Sequence, residues 1–571
     1  MLKFIEMKMK NKLLGVLCST FLLGLFSCKK DFLETKIDTN ATPETIITDR
    51  NTLFQFANAF YAALPYGFTT LDNNFFAPAS DEAFQTQVSA QNVRVFNQGT
   101  ISPNNPGSTD ITYKSFYEGI RAANFFLDYS KGYAEFLMRN RDTTSASAFV
   151  NYRNDSLNIA WFRGEAHIAR AYYYSELLKR FGGVPLVTTT LAQTNDLNIP
   201  KKSFDEMVAY IVSEIDLFKD SVQLNWKTSS FKANDGRFTK GSALALKARV
   251  LLYAASPLHG STSAKWQKAA EAARDVLSTP GLNLSLYTGG YGSLFIGSNP
   301  IVSTNNEVIL AVRRPASNTP EINNYPIATP GGSTGVTPSQ NLVSDYEYIG
   351  VANPVNPYAN RDPRLAATVV SNGSTWNSRT IDQSPGGTDD MSKANSSRTG
   401  YYLKKFLTDN LNLIQNGTAL HNWILFRHAE VLLNYAEAMN EAFGPDAVPA
   451  GYPMSARAAL KMVRDRASTL LPAVTTTSVD DFRTALKHER RIELAFEDHR
   501  YWDLLRWNDA QATLNQPLLG ITVTKNTSGT FIYQQSTVAN RVFRNPAMYY
   551  LPFPYTEIAN SNGTLSQNPG Y

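Results

Sequence analysis

The sequence predicts a mainly α fold: an array of antiparallel helical pairs, an α-superhelix, that carries an irregular, loop-rich lobe. Three observations predict it. Apolar residues recur at helical spacing through long segments that fall into pairs. Between Pro315 and Gly400 that periodicity stops, and 47 of 86 residues are Gly, Pro, Ser, Thr or Asn. The chain has 571 residues, 43% of them hydrophobic, enough to bury a large core.

The N-terminus reads as an address. Lys3, Lys8, Lys10 and Lys12 precede an apolar run from Leu13 to Phe26. As a helix that run would reach only about 21 Å, against a bilayer core of about 30 Å, so it fits a secretory leader better than a span. Leu25-Phe26-Ser27-Cys28 resembles a bacterial lipobox, in which the cysteine is lipidated and becomes the first mature residue. The chain's 2 cysteines are Cys18, inside the leader, and Cys28, so the mature chain has no disulfide, zinc-thiolate or cysteine nucleophile to offer. The boundaries expected are 1–27 for the leader, 28–48 for the lipidated N-terminus and tether, and 49–571 for the body. Several acyl chains on one terminus would anchor stably.

Along the body, Arg50 to Leu64 places Leu53, Phe56, Ala57, Phe60 and Leu64 on one helical face. A second helix is expected near Thr112 to Tyr129, and a long one from about Asp155 to Phe181. Gly182-Gly183 supplies its stop and Pro185 prevents resumption. Ser203-Phe204-Asp205-Glu206 is a capping box opening a helix to about Leu224. Thr239–Ser256 and Ser263–Ser278 form the clearest pair. Ala243, Ala245, Ala248, Ala254 and Ala255 on one helix face Ala269, Ala270, Ala272 and Ala273 on the other, which allows close approach. Repeated pairs of about 34 residues resemble tetratricopeptide units, though the textual repeat is weak. Helical pattern returns at Asn422–Ala442, Ser455–Ala467 and Ser478–Thr513. The helical pairs therefore fall at about 112–280 and 422–513, the lobe at about 281–420, and an irregular segment at 514–571. The lobe keeps Tyr325, Tyr346, Tyr348, Tyr358 and Trp376, so it is expected to be ordered.

Composition narrows the function. The net charge of +5 falls to +2 once residues 1–27 are removed, and no basic cluster suggests nucleic acid. The run Glu489, Arg490, Arg491, Glu493, Glu497, Arg500 puts charges at i,i+3 and i,i+4, which fits a structural ion-pair network. A His-Glu-x-x-His zinc helix would need a second histidine where Ile492 stands, so no metal is expected. Neither a nucleophile elbow nor a phosphate loop is present, and no carboxylate pair is marked as catalytic. No catalytic residue and no cofactor are predicted.

Several segments together resemble the SusD/RagB family of Bacteroidetes surface lipoproteins. They are Cys28-Lys29-Lys30-Asp31-Phe32-Leu33-Glu34, Ser80-Asp81-Glu82, and Tyr117-Glu118-Gly119-Ile120-Arg121-Ala122-Ala123-Asn124. They continue through Arg163-Gly164-Glu165-Ala166, Phe181-Gly182-Gly183-Val184-Pro185-Leu186, and Arg427-His428-Ala429-Glu430 with Tyr435-Ala436-Glu437-Ala438. Glu489 to Glu497, Asp503-Leu504-Leu505-Arg506-Trp507 and the ending Leu565 to Tyr571 complete the order. The resemblance implies four tetratricopeptide pairs supporting the lobe. It also implies a lipid-anchored location at the outer membrane and cell surface, capture of oligosaccharides or peptides, and delivery to a SusC-like TonB-dependent transporter. A surface glycoside hydrolase is the remaining alternative.

Sugar recognition needs flat aromatic faces flanked by planar amides and arginine. The expected ligand site lies between loop 65–108 and the lobe. Tyr66, Phe75, Asn92, Arg94 and Phe96 would come from the loop, and Tyr291, Tyr325 and Trp376 from the lobe side. Trp376, flanked by Ser374, Thr375, Asn377 and Ser378, is the first candidate for a stacking face.

Overall fold

The computed structural model describes residues 50–139, 142–191, 198–226, 235–301 and 304–571. Cys28, the leader and the tether lie outside the described residues.

Among the described residues ten of the helices carry the body: α1 (Arg50–Ala59), α2 (Thr109–Tyr129), α3 (Ala146–Phe181), α4 (Phe204–Phe218) and α5 (Lys240–Ala255); then α6 (Ser263–Ser278), α7 (His428–Phe443), α8 (Ala456–Arg464), α9 (Val479–Glu493) and α10 (Arg500–Arg506). Each of α2 to α7 packs against the next, and α7 also packs on α8 and α9. The contact of α6 with α7 joins residues about 150 positions apart. The lobe is therefore inserted between two consecutive members of one helical array.

The local signals behave as chemistry requires. The Ser203 hydroxyl accepts from the Glu206 amide at 3.3 Å, and the Glu206 carboxylate accepts from the Ser203 amide at 2.8 Å. α3 ends at Gly182, which takes φ 71°, and a side chain on Gly183 would collide with the Lys202 carbonyl. The alanine faces of α5 and α6 are fully buried against their neighbours.

Two expectations need correction. Residues 422–427 form a strand, not the first turns of a helix. It is buried on both faces, so its apolar run carries no period to separate strand from helix. The helix expected over 478–513 is broken after α9, where Phe496 and Asp498 adopt left-handed φ of 63° and 60°.

Among the described residues ten short strands pair two by two: β1 (Ala83–Gln85), β2 (Val308–Arg313), β3 (Val336–Pro338), β4 (Val369–Val370) and β5 (Thr375–Trp376); then β6 (Arg379–Thr380), β7 (Tyr402–Leu403), β8 (Asn422–Arg427), β9 (Leu518–Lys525) and β10 (Phe531–Ala539). All five pairs are antiparallel. β2 with β8 closes the lobe where it leaves and rejoins the array, paired from Val308↔Arg427 to Arg313↔Asn422 with an irregularity at Leu310. β1 with β3 fastens loop 65–108 to the lobe, with Phe84 opposite Thr337.

Beneath the lobe lies a network of buried ions. Arg427 reaches Glu307 at 2.9 Å, Glu493 at 2.7 Å and Glu497 at 2.7 Å. Arg466 bridges Glu307 and Glu493, and Arg364 bridges Asp362, Glu489 and Glu493. Lys405 donates to Glu497 at 2.7 Å, and burial holds its pKa down at about 8. Although burial opposes it, the arginines around Glu493 hold that carboxyl well below the usual range. The charge run read from the sequence is thus a structural network.

Candidate functional site at the loop–lobe seam

Loop 65–108 and the lobe meet as expected, but the seam between them is filled. Phe68 packs edge-on against Phe75 at 5.4 Å, Phe406 at 5.4 Å and Trp423 at 5.2 Å. The buried Asn74 and Asn324 carboxamides pair reciprocally across the seam at 3.1 and 3.0 Å, and Asn323 donates to the Asn73 carbonyl at 2.8 Å. A polar line runs outward from this core. Tyr66 donates to the His421 carbonyl at 3.0 Å, and the His421 ring meets Glu321 at 3.1 Å. Glu321 in turn accepts from the Thr408 amide, whose carbonyl takes the Tyr325 hydroxyl proton.

Tyr66, Phe75, Tyr325 and Trp376 are therefore brought onto one seam, but only Tyr66 is half-exposed. Trp376 does not offer a stacking face: it is 3% exposed, edge-on to Tyr325 at 6.1 Å, with the Lys404 ammonium 5.8 Å from its ring. The physical reason is the hairpin β5–β6. Asn377 and Ser378 form its two-residue turn with φ of 52° and 58°, the left-handed pair of a type I′ turn. The polar neighbours of Trp376 occupy the solvent side and the tip, while the tryptophan takes the inward position of a period-two strand. Its indole N–H has no hydrogen-bond partner among the described residues.

Four of the remaining candidates are buried. Phe75 is buried among Phe68, Phe406 and Trp423. Phe96 is buried in a separate cluster with Phe76 and Tyr501. Tyr291 is buried at the ion network, donating to the Glu493 carbonyl at 2.7 Å and accepting from Lys405 at 2.8 Å. Tyr325 is fully buried, its hydroxyl spent on Thr408 and Leu411. Burial pushes the pKa of Tyr66 and of Tyr325 up to about 12, so both hydroxyls stay neutral. Asn92 is half-buried and donates to Asp72 at 2.7 Å, while the same carboxylate caps the amides of residues 92 and 93. Arg94 is half-buried on the short helix that this cap starts.

What reaches solvent along the seam is a rim of planar polar groups. Asn377 is held by Thr329 at 3.1 Å and by its own amide on Asp409 at 2.9 Å. Ser378 bonds the Asn410 carboxamide at 2.7 Å, and Arg379 pairs with the buried Asp389. Asn73 is exposed, and Asn323 and Asn377 are half-buried. Asn323, Arg379 and Asn410 were not singled out by the sequence; an Asn-Ser pair between two extended residues was the signal available. This arrangement can hold and orient hydroxyls or amides. Among the described residues no group of three His, Cys, Asp or Glu side chains could hold a metal ion, and no helix is long and apolar enough to cross a membrane.

Comparison with known proteins fits the geometry. Residues 306–571 match a family described as "SusD family", and residues 31–252 match one described as "Starch-binding associating with outer membrane". A curated relative, SusD-like protein P38 of Formosa agariphila, is 24% identical over 63% of this chain and 69% of its own. A SusD-like protein of Bacteroides fragilis superposes with a TM-score of 0.74 at 26% identity, covering 92% of this chain and 98% of that one. A laminarin-binding SusD-like protein superposes with a TM-score of 0.62 at 22% identity, covering 91% and 99%. The surface glycan-binding protein A of Bacteroides uniformis does so at 0.64 and 19% identity, again over 91% and 99%.

Proposed function

The chain belongs to the SusD/RagB family, and on that premise we propose that it is a cell-surface nutrient-binding lipoprotein of the outer membrane. It captures oligosaccharides without cleaving them and passes them to a SusC-like TonB-dependent transporter. Residues 1–27 are its leader, Cys28 its lipid attachment point, residues 28–48 its tether, and 49–571 the binding body.

The observation that carries this reading is the rim of the loop–lobe seam, where Asn323 is pinned on the Asn73 carbonyl, Asn377 by Thr329 and Arg379 by Asp389. Amides and guanidinium groups fixed in this way suit the hydroxyls of a sugar chain, and Tyr66 supplies the half-exposed ring. The named ligands of the glycan- and laminarin-binding relatives set the class of molecule proposed.

Calorimetric titration of the purified chain with neutral oligosaccharides, followed by product analysis of the same samples, tests the reading. Binding heat with intact oligosaccharide is expected, and Asn377→Ala should weaken it about five- to ten-fold. Shortened products would replace the reading with a hydrolase; binding of peptides alone would replace the ligand class.

A further inference from the structure

α3 extends past its neighbours in the array. Its buried residues run from Asp155 to Phe181, whereas residues 146–154 are exposed or half-buried throughout. This projecting spur is not polar. Phe149 is 50% exposed, Val150 54% and Leu157 43%. At about 3.6 residues per turn these three and Arg153 lie within about 100° of one another, on one face. Another side of the helix is occupied, Tyr152 donating to the Ala134 carbonyl at 3.2 Å in the short helix Tyr133–Arg139. Scattered apolar side chains on a surface need no partner, but a contiguous apolar face on a projecting helix does.

The spur and the start of the body lie at the same end. Phe54 meets Phe162 edge-on at 5.4 Å, and further on the Phe60 carbonyl accepts from the Tyr173 hydroxyl. α1 therefore advances along α3 in the same sense, and the chain enters it at Arg50 from the spur side of Phe162. Phe149 stands about 20 Å further toward that end. The lobe lies the other way: Tyr172 packs edge-on against Phe426 of β8 at 6.2 Å, about 34 Å along α3 from Phe149. The tether, residues 28–48, can span no more than about 70 Å and reaches the body at the spur end.

The face restricts its partner. Arg153 sits midway between Phe149 and Leu157, so a second copy laid antiparallel on the spur would press two guanidinium groups together. A phospholipid surface meets no such conflict. Phe149, Val150 and Leu157 can enter the boundary between headgroups and acyl chains, while the Arg153 stem lies along it and its guanidinium reaches a phosphate. We propose that the spur is a membrane-contact element, a second point of attachment that fixes how the body stands on the bilayer. A flexible tether alone leaves the body free to turn. The spur would hold the bilayer at one end of α3 and keep the loop–lobe seam clear of it. This contact rests on the lipid-anchored location proposed above.

The processed, lipidated chain on phosphatidylcholine vesicles tests it. With Cys18 lost in the leader and Cys28 acylated, an introduced cysteine is the only free thiol. Bimane on Phe149→Cys should lose emission about two-fold or more when brominated acyl chains replace ordinary ones. Bimane on Val351→Cys, in the lobe and 83% exposed, should lose none. Val150→Cys should behave as Phe149→Cys does, which keeps the test decisive should one variant not fold. Adding Val150→Asp to the Phe149→Cys chain should bring its quenching close to that at position 351. Flotation on a density gradient reports the anchor separately. Chain that floats with the vesicles while neither spur label is quenched would overturn the membrane contact and leave the anchor standing. Equal quenching at Val351→Cys, or quenching that survives Val150→Asp, would also overturn the contact. Chain that stays in solution would overturn the anchored reading and the contact together.

Discussion

Between α5 and α6 the contact is made by alanines, whereas between the lobe and α9 it is made by arginines and glutamates. The array buries charges too: Glu437 and Asp503 with Arg490 and Arg506 among α7, α9 and α10. Smaller groups pair Glu165 with Arg237, Glu430 with Arg249, and Glu214 with Arg170 and His167. Under the lobe, Glu493 alone meets Arg364, Arg427 and Arg466. Packing energy in the array is spread over many small contacts, so one defect costs little beyond its site. In the network each ion is compensated only by its neighbours, and removing one leaves the others desolvated and unpaired. The α5–α6 contact tolerates change, and the lobe junction holds one arrangement.

The comparison breaks most readily at Glu493. Glu493→Ala leaves three buried guanidinium groups short of a partner and should cost about 3–5 kcal/mol in denaturant unfolding. Hydrogen exchange should rise first in the lobe and in β2–β8, with the α5–α6 pair still protected. A loss under about 1 kcal/mol would show that the network does not clamp the lobe.

The array should respond to volume instead. Ala270 is fully buried, in the alanine face that α6 turns toward its neighbours, and Ala270→Leu should cost about 1–3 kcal/mol through overpacking. Here exchange should rise along α5 and α6 and leave the lobe unchanged. Equal loosening of both regions would mean that they unfold as one unit and that the distinction has no energetic content.

Legibility in the sequence follows the same division. Alanine faces, the Ser203 capping box and the Gly182-Gly183 stop act within a few residues of themselves, so local spacing reveals them. The Glu489–Arg500 run was readable as structural, because i,i+3 and i,i+4 neighbours signal shared faces. Its partners were not, since Arg364 and Arg427 lie 129 and 66 positions from Glu493. That the aromatic-rich loop meets the turn-rich lobe is seen in the β1–β3 pairing, while a ligand at that seam is the reading proposed above. Which ring faces water was not legible: Trp376 has polar neighbours on both sides, and only the β5–β6 hairpin turns it inward.

The smallest effect sharpens the comparison through pH. Asp81 ties loop 65–108 to the helical side, accepting from Arg491 at 2.5 Å and Arg500 at 2.8 Å, which hold its carboxyl well below the usual range despite burial. Its neighbour Glu82 makes no ion pair among the described residues and accepts from the Phe496 amide at 3.3 Å, the same arginines acting on it only from a distance. Burial, with the Asp81 charge second, pushes Glu82 up to about 8. A carboxyl raised in the folded state contributes its full stability below the unfolded value of 4.5, and that contribution is lost as pH rises through about 8. Glu82→Gln keeps the neutral, hydrogen-bonding form at every pH. The variant should therefore gain on the wild type by about 1 kcal/mol for each pH unit between pH 5 and 7. Below pH 4.5 the two proteins should differ by a constant amount. Denaturant unfolding at several pH values measures the difference directly, and parallel curves for the two proteins would place the Glu82 proton outside the folding equilibrium. The array offers the control: Glu165 is also raised by burial, to about 7, but Arg237 donates to it at 2.7 Å. By the same linkage Glu165→Gln should gain on the wild type only up to about pH 7, while Arg237 keeps its bonds to Asn58 and the Ala57 carbonyl. A gain that stops near pH 7 at Glu165 and continues to about pH 8 at Glu82 would tie each effect to its own raised carboxyl.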